Sequence, residues 1–227
     1  MSKCYMYDFC NHKDCESDFC LRKYKMDSLY SAALMTESQK QHITLRVDQD
    51  GTDLEQFKQL AAIEQDIVNF IKEGKNLYLH SSNCGCGKTS WSLRLTEAYF
   101  NKIWVRSEAK CRVLFISVPR FLLALKDNIT AKSSYVEYIK DNVFEADLVI
   151  WDDIAAKMGS EFELTHLLNI IDNRLALGKS NIYTSNLNRQ QLYTALGERL
   201  TSRIANMSID IELFGSDKRV LTLEDNR

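Results

Sequence analysis

The chain has 227 residues, 45% hydrophobic and 26% charged, enough to bury one core of ordinary domain size with a small appendix. A formal charge of -2, from 29 Lys and Arg against 31 Asp and Glu, supplies no global basic field, so any contact with nucleic acid has to be local. One proline and eight glycines exclude collagen-like and Pro-rich chains, and neither a membrane-length apolar run nor a signal-peptide core is present; a cytoplasmic protein without a membrane partner is expected.

At the N-terminus, Cys4, Cys10, Cys15 and Cys20 account for four of the seven cysteines. In a reducing compartment such crowding points to metal rather than to disulfides. Four thiolates are the number that tetrahedral Zn²⁺ takes, with His12 an alternative ligand in place of one of them. About 20 residues cannot bury enough surface to fold unaided, and zinc binding would contribute the missing folding energy. The basic run Arg22, Lys23 and Lys25 reads as a solvated face. A connector follows, with a short helical pattern (Leu29, Ala32, Ala33), the polar run Thr36 to Gln41 and a turn at Asp48-Gln-Asp-Gly51. Residues 1–47 are therefore assigned to a zinc-binding module with its connector, and residues 48–227 to the main domain.

From Asp53 the periodicity becomes regular. Asp53 and Gln56 have capping-box spacing, and Leu60, Ile63, Ile67, Phe70 and Ile71 recur at helical intervals until Gly74. Strands are predicted at Asn76–His80, Arg112–Val118, Leu148–Trp151, Asn181–Thr184 and Ser208–Leu213. Helices are predicted between them, near Thr89–Phe100, Phe121–Asp127, Tyr135–Phe144, Phe162–Leu177 and Arg189–Ala205. Strands alternating with helices imply an α/β fold whose mainly parallel sheet is covered on both faces.

Four motifs carry chemistry. Ser82-Asn-Cys-Gly-Cys-Gly-Lys-Thr89 matches the phosphate-binding pattern G-x-x-x-x-G-K-[ST] except at its first glycine, and it lies between a predicted strand and a predicted helix. Backbone N–H groups across Asn83, Cys84, Gly85, Cys86, Gly87, Lys88, Thr89 and Ser90 would cradle the phosphates of ATP. Lys88 adds a point charge and the Thr89 hydroxyl a ligand for Mg²⁺. Cys84 and Cys86 are expected to supply backbone only. Asp147-Leu-Val-Ile-Trp-Asp-Asp153 is an apolar strand ending in two carboxylates. Alone it reads as a solvated turn; after a phosphate loop it assigns Asp152 to Mg²⁺ and Asp153 to activation of the attacking water. Tyr183-Thr-Ser-Asn186 ends the next strand in small polar groups. Gly197-Glu-Arg-Leu-Thr-Ser-Arg203 sets Arg199 and Arg203 on one helix face. Surface ion pairs are the plain reading of two such arginines. Beside the other motifs, an arginine offered to a neighbouring subunit's γ-phosphate is favoured, since such fingers supply ~10³ to 10⁵ in rate.

In order and spacing these motifs resemble the AAA+ ATPases of the DnaC/DnaI (IstB-like) type, the bacterial and phage loaders of replicative helicases. The resemblance covers residues 54–213. It implies a P-loop NTPase of AAA+ type with a five-stranded parallel sheet ordered 5-1-4-3-2 and no full helical lid. It implies Asn186 as the sensor of the γ-phosphate, Arg203 as the finger acting in trans, and hence self-association through the ATPase domain. The implied function is to bind a hexameric DnaB-type replicative helicase and place it on single-stranded DNA, at the cost of ATP. Asp153 stands where many AAA+ proteins carry Glu, which implies slow, partner-stimulated hydrolysis. In such loaders the regions of Lys126, Ser160 and Phe162 face the channel for single-stranded DNA, where Lys126 would meet phosphate and Phe162 a base. Some loaders also carry an N-terminal zinc module that contacts the helicase. Two alternatives share parts of this pattern: a helper of DNA transposition, with all the same ATPase motifs, and a P-loop small-molecule kinase, against which the arginines lie on a late helix rather than in a lid.

Overall fold

The computed structural model describes residues 10, 19–41, 43–47, 51–108, 110–129, 131–156, 159–215 and 217. The five apolar runs form β1 (Leu77–His80), β2 (Val113–Ser117), β3 (Leu148–Asp152), β4 (Ser180–Ser185) and β5 (Ile209–Glu212). All adjacent pairs are parallel, in the order β2-β3-β4-β1-β5, which is the expected 5-1-4-3-2 read from the other edge. Leu77 stands opposite Ile182 on one side and Ile209 on the other, and Ile150 opposite Phe115 and Ile182.

Both faces of the sheet are buried, which is why its strands read as continuous apolar runs rather than as alternating ones. Leu77, Leu79, Val113, Phe115, Leu148, Ile150 and Ile182 pack on one side. They meet α1 (Leu21–Ala32), α2 (Leu54–Gln65), α3 (Ile67–Lys72) and α4 (Lys88–Ile103) through Met26, Leu60, Phe70, Leu95 and Phe100. Tyr78, Leu114, Ile116, Val149, Trp151 and Tyr183 pack on the other. There they meet α5 (Val118–Asp127), α6 (Ser134–Asn142), α7 (Glu161–Ala176) and α8 (Arg189–Thr201) through Phe121, Ile139, Leu167, Ile171 and Leu192.

Three details depart from the sequence expectation. The single helix expected before β1 is two, broken at Asp66 (φ -108°, ψ 25°), whose carboxylate accepts from Asn69 Nδ2 at 2.7 Å and so competes locally with helix continuation. Asp53 occupies the N-cap of α2 but makes no side-chain cap bond, so the expected capping box is not formed. The segment read as a connector is built into the core: Met26, Leu29, Tyr30, Ala33 and Met35 are buried. Its Ala33 carbonyl accepts from Phe115 N–H at 2.9 Å, covering the outer edge of β2, which would otherwise present unpaired groups. Tyr138 OH donates to the neighbouring Ala32 carbonyl at 2.8 Å.

Arg174 on α7 is fully buried. It donates to Asn181 Oδ1 (2.7 Å), Ser180 O (2.5 Å), Ala146 O (3.1 Å) and Val143 O, tying the helix to the bases of β3 and β4. Burial pulls its guanidinium down to about 10, so it stays charged at neutral pH. Arg174→Met, which keeps the apolar stem but strands these acceptors, is expected to lower unfolding free energy by about 3 kcal/mol in a urea titration. Among the described residues no helix is long and apolar enough to cross a membrane.

Candidate nucleotide-binding site

At the carboxyl edge of the sheet, β1 runs into a loop at residues 81–87 and α4 starts at Lys88, so the positive end of a 16-residue helix faces the loop. Gly87 caps the helix at φ 99° and Gly85 sits at φ 75°, conformations that an L side chain rarely adopts. A Cβ at Gly85 would also fall 1.7 Å from Asp217 Oδ1, because the chain beyond β5 lies over the loop and Asn83 Nδ2 donates to Gly215 O at 3.1 Å. Ser82 is not among the positive-φ residues, which explains why serine is accommodated where the motif has glycine.

The loop is tied from within. Asn83 N–H donates to Ser81 Oγ at 3.1 Å, and the Asn83 carbonyl accepts from Lys88 Nζ at 3.0 Å and from Cys86 Sγ at 3.3 Å. Cys86 is 3% exposed and packs with the core beneath the loop, while Cys84 is exposed. The expectation that both cysteines supply only backbone is corrected for Cys86, whose thiol fills the underside of the turn.

Asp152 ends β3 facing the loop. Its Oδ1 accepts from Thr89 Oγ1 at 2.9 Å and from Thr184 Oγ1 at 2.8 Å. Burial holds its carboxyl above the ordinary range, opposed by the hydrogen bonds from Thr184 and Thr89. Asp153 takes a left-handed backbone (φ 62°), and its N–H donates to Thr184 Oγ1 at 2.9 Å. A hydroxyl and a carboxylate this close form a hard-oxygen pair that fits Mg²⁺, an ion usually held by one or two protein groups plus phosphate and water. Cys84, Gly85, Gly87, Lys88, Thr89 and Ser90 line a cleft of about 340 Å³ together with Asp153 and Asn186. Two motifs distant in sequence thus converge on the phosphate loop.

The arginines lie elsewhere. Neither Arg199 nor Arg203 lines this cleft. α8 breaks at Gly197 (φ 78°, ψ 170°), Arg199 is exposed, and the chain continues into a π-helical turn at Ser202–Asn206 that carries Arg203. The Arg203 guanidinium is half-exposed and donates through Nε to Asp172 on α7. Lys126 pairs with Glu163 at 3.3 Å, and Ser160 is the N-cap of α7, its hydroxyl donating to the same Glu163 at 2.6 Å. Phe162 is 45% exposed and meets His166 edge-on at 4.4 Å, so it lies outside the core. Cys4, Cys15 and His12 lie outside the described residues; Cys20 is at the N-cap of α1. Among the described residues no group of three or more His, Cys, Asp or Glu side chains is placed to hold a metal ion. Sequence reasoning placed Thr184 in a polar strand end but gave it no role of its own, because a threonine inside a buried strand reads as ordinary β-propensity.

Residues 53–211 match the family described as the bacterial DnaA ATPase domain. The chain belongs to this family. Over 139 residues this DnaA-type ATPase is 26% identical to the replicative helicase loader DnaC of Escherichia coli strain K12, an alignment covering 61% of the chain and 51% of that protein. The chain therefore spans about half the length of the curated relatives it matches. Among solved structures it is similar to the DnaC helicase loader, with TM-score 0.58 and 21% identity over 76% of this chain and 94% of that one. It is also similar to a candidate primosome component from Streptococcus pyogenes serotype M3, with TM-score 0.61 and 20% identity over 85% and 98%. At such identities the structural likeness shows the fold alone, a five-stranded parallel sheet between two layers of helices.

Proposed function

We propose that this DnaA-type ATPase is a helicase loader, which binds a hexameric replicative helicase of DnaB type and uses ATP to place it on single-stranded DNA. The observation that carries the reading is the convergence of Lys88, Thr89, Asp153 and Asn186 on one cleft, with Asp152 bonded to Thr89 at its edge, in a chain similar to the loader DnaC. In this reading Lys88 and the loop amides hold the β- and γ-phosphates. Thr89 and Asp152 hold Mg²⁺, which when bound neutralises charge developing on the phosphates. Asp153 orients the attacking water, Asn186 donates to the γ-phosphate, and Arg203 of a neighbouring copy completes the site. Asp153→Asn is expected to leave ATP affinity within about twofold while lowering turnover at least about tenfold, measured by titration and phosphate release. Wild-type turnover in that variant would remove Asp153 from water activation.

ADP release in the absence of any small-molecule acceptor separates an ATPase from a kinase. Retention of a hexameric helicase on the immobilised protein separates a loader from a transposition helper; retention of a transposase instead would favour the latter.

The division into an N-terminal cysteine-rich module and an ATPase unit belongs to the same proposal, with the module ahead of α1, since α1 packs into the ATPase core. Cys4, Cys10, Cys15 and Cys20 hold one Zn²⁺ there, and native mass spectrometry is expected to find one zinc per chain. Its absence from protein expressed with zinc and purified without chelator would refute the assignment. Single-stranded DNA is expected to bind weakly, its affinity falling as salt rises, because few phosphates can be neutralised by a chain of charge -2. Lys126 must exchange Glu163 for a phosphate, with Ser160 and Phe162 lining the same path. Lys126→Ala is expected to flatten the salt slope by about 0.7, the value for one lost single-strand phosphate contact. An unchanged slope and affinity would take Lys126 off the DNA path.

A further inference from the structure

Thr184 joins the two acidic residues at the end of β3 through a single hydroxyl. It is 1% exposed, it donates its one proton to Asp152 Oδ1 at 2.8 Å, and its lone pair accepts the Asp153 N–H at 2.9 Å. The Thr184 carbonyl also accepts from Ile154 N–H at 2.8 Å, so the last residue of β3 and the two that follow it are anchored to one residue of β4. We infer that Thr184 is the positioning residue of the site: it aims the Asp152 carboxylate at the metal position and keeps Asp153 in its left-handed conformation. This rests on the ATPase reading above and deepens it.

Asp152 Oδ1 is gripped by a hydroxyl from each side, Thr89 from the first turn of α4 and Thr184 from the sheet. Thr89 lies in the first turn of α4 and is itself assigned to the metal, whereas Thr184 is buried in β4 and has no other task at the site, so Thr184 is the grip that serves only to hold the carboxylate. Asp153 at φ 62° is in a region that non-glycine residues adopt only at a cost, and the bond from its N–H to Thr184 offsets that cost. Without the hydroxyl, the carboxylate loses a buried donor, the amide is left unsatisfied, and both aspartates are free to turn.

Valine is close in shape to threonine and removes only the hydroxyl, whereas serine keeps it. In Thr184→Val the Mg²⁺ concentration giving half-maximal binding of a fluorescent ADP analogue is expected to rise about tenfold or more, the usual cost of losing a group that orients a metal ligand. Binding of the same analogue in EDTA should stay within about twofold, and the Asp153 amide of the nucleotide-free protein should exchange faster. Thr184→Ser should restore the Mg²⁺ midpoint. Ser185→Ala removes the neighbouring bond to Ile154 O (2.8 Å) without touching either carboxylate and should leave the midpoint in place. A wild-type midpoint in Thr184→Val, or a shift in Thr184→Ser as large as that in Thr184→Val, would overturn the inference. If Thr184→Val does not fold, Thr184→Ala is measured in its place against the same outcomes; failure of both to fold would make Thr184 a structural residue and equally overturn it. Wild-type protein that binds the analogue with no Mg²⁺ dependence would instead overturn the ATPase reading itself.

Discussion

Lys88→Ala is expected to lower ATP affinity by about a hundredfold, equivalent to about 3 kcal/mol, while leaving the fold intact. Lys88 is 8% exposed, and its ammonium rests 3.0 Å from the Asn83 carbonyl, inside the turn that the phosphates would enter. Among the described residues no other lysine or arginine lines the cleft, so alanine removes the cationic side chain that these residues offer to the phosphates. The loop keeps its shape through the Asn83 N–H to Ser81 Oγ bond and the Cys86 thiol on the Asn83 carbonyl. The variant should therefore unfold within a few degrees of wild type. Calorimetric titration with ATP, paired with thermal unfolding, separates these terms. Wild-type affinity in a folded variant would mean that the phosphates do not sit on this loop.

Arg203→Ala is expected to keep full ATP affinity in the isolated chain yet lose about 10³ in ATPase rate in the assembly with helicase and single-stranded DNA. The motivation is positional: Arg203 follows the break at Gly197 and does not line its own chain's cleft. Its partner in the single chain is Asp172, half-exposed like itself, and an ion pair of that kind contributes about 0–1 kcal/mol. A neighbour's γ-phosphate can displace so weak a partner. Mixing Arg203→Ala with Lys88→Ala protein should restore part of the activity, because a copy with an intact phosphate loop then meets an intact finger. The competing account, in which Arg203 only serves Asp172, predicts near-normal turnover and no effect of mixing. ATPase rate against mixing ratio at fixed total protein, with assembly followed by light scattering, distinguishes the two. No recovery at any ratio in an assembled mixture would end the trans assignment.

The parts of the molecule that were legible in sequence are those where physics leaves little choice. A parallel strand buried on both faces must be an apolar run, so all five strands were placed within about two residues of where they lie. The phosphate loop needs glycine where φ is positive, and Gly85 and Gly87 mark those positions. The sheet order came from the resemblance rather than from any periodicity, and the parallel pairing bears it out. What escaped depends on partners distant in sequence. Arg174 looks like one more polar residue on a helix until Val143, Ala146 and Ser180 turn their carbonyls toward it. Thr184 looks like a β-branched strand residue until Asp152 and Asp153 arrive from β3. Phe162 fits the apolar periodicity of α7 equally well inside or outside, and only the packing leaves it exposed. Cysteine in a phosphate loop carries no signal of whether its thiol points out, like Cys84, or into the core, like Cys86.

The measurement that bears most directly on helicase loading uses a closed circle of single-stranded DNA, which a preformed helicase ring cannot thread. The replicative helicase encoded in the same genome is incubated with the circle, and the helicase retained on DNA is counted after gel filtration. Loading is expected only when both this protein and ATP are present, and is expected to be lost with the Lys88→Ala variant. Equal retention of helicase with and without the protein, or with ATP omitted, would contradict the loader.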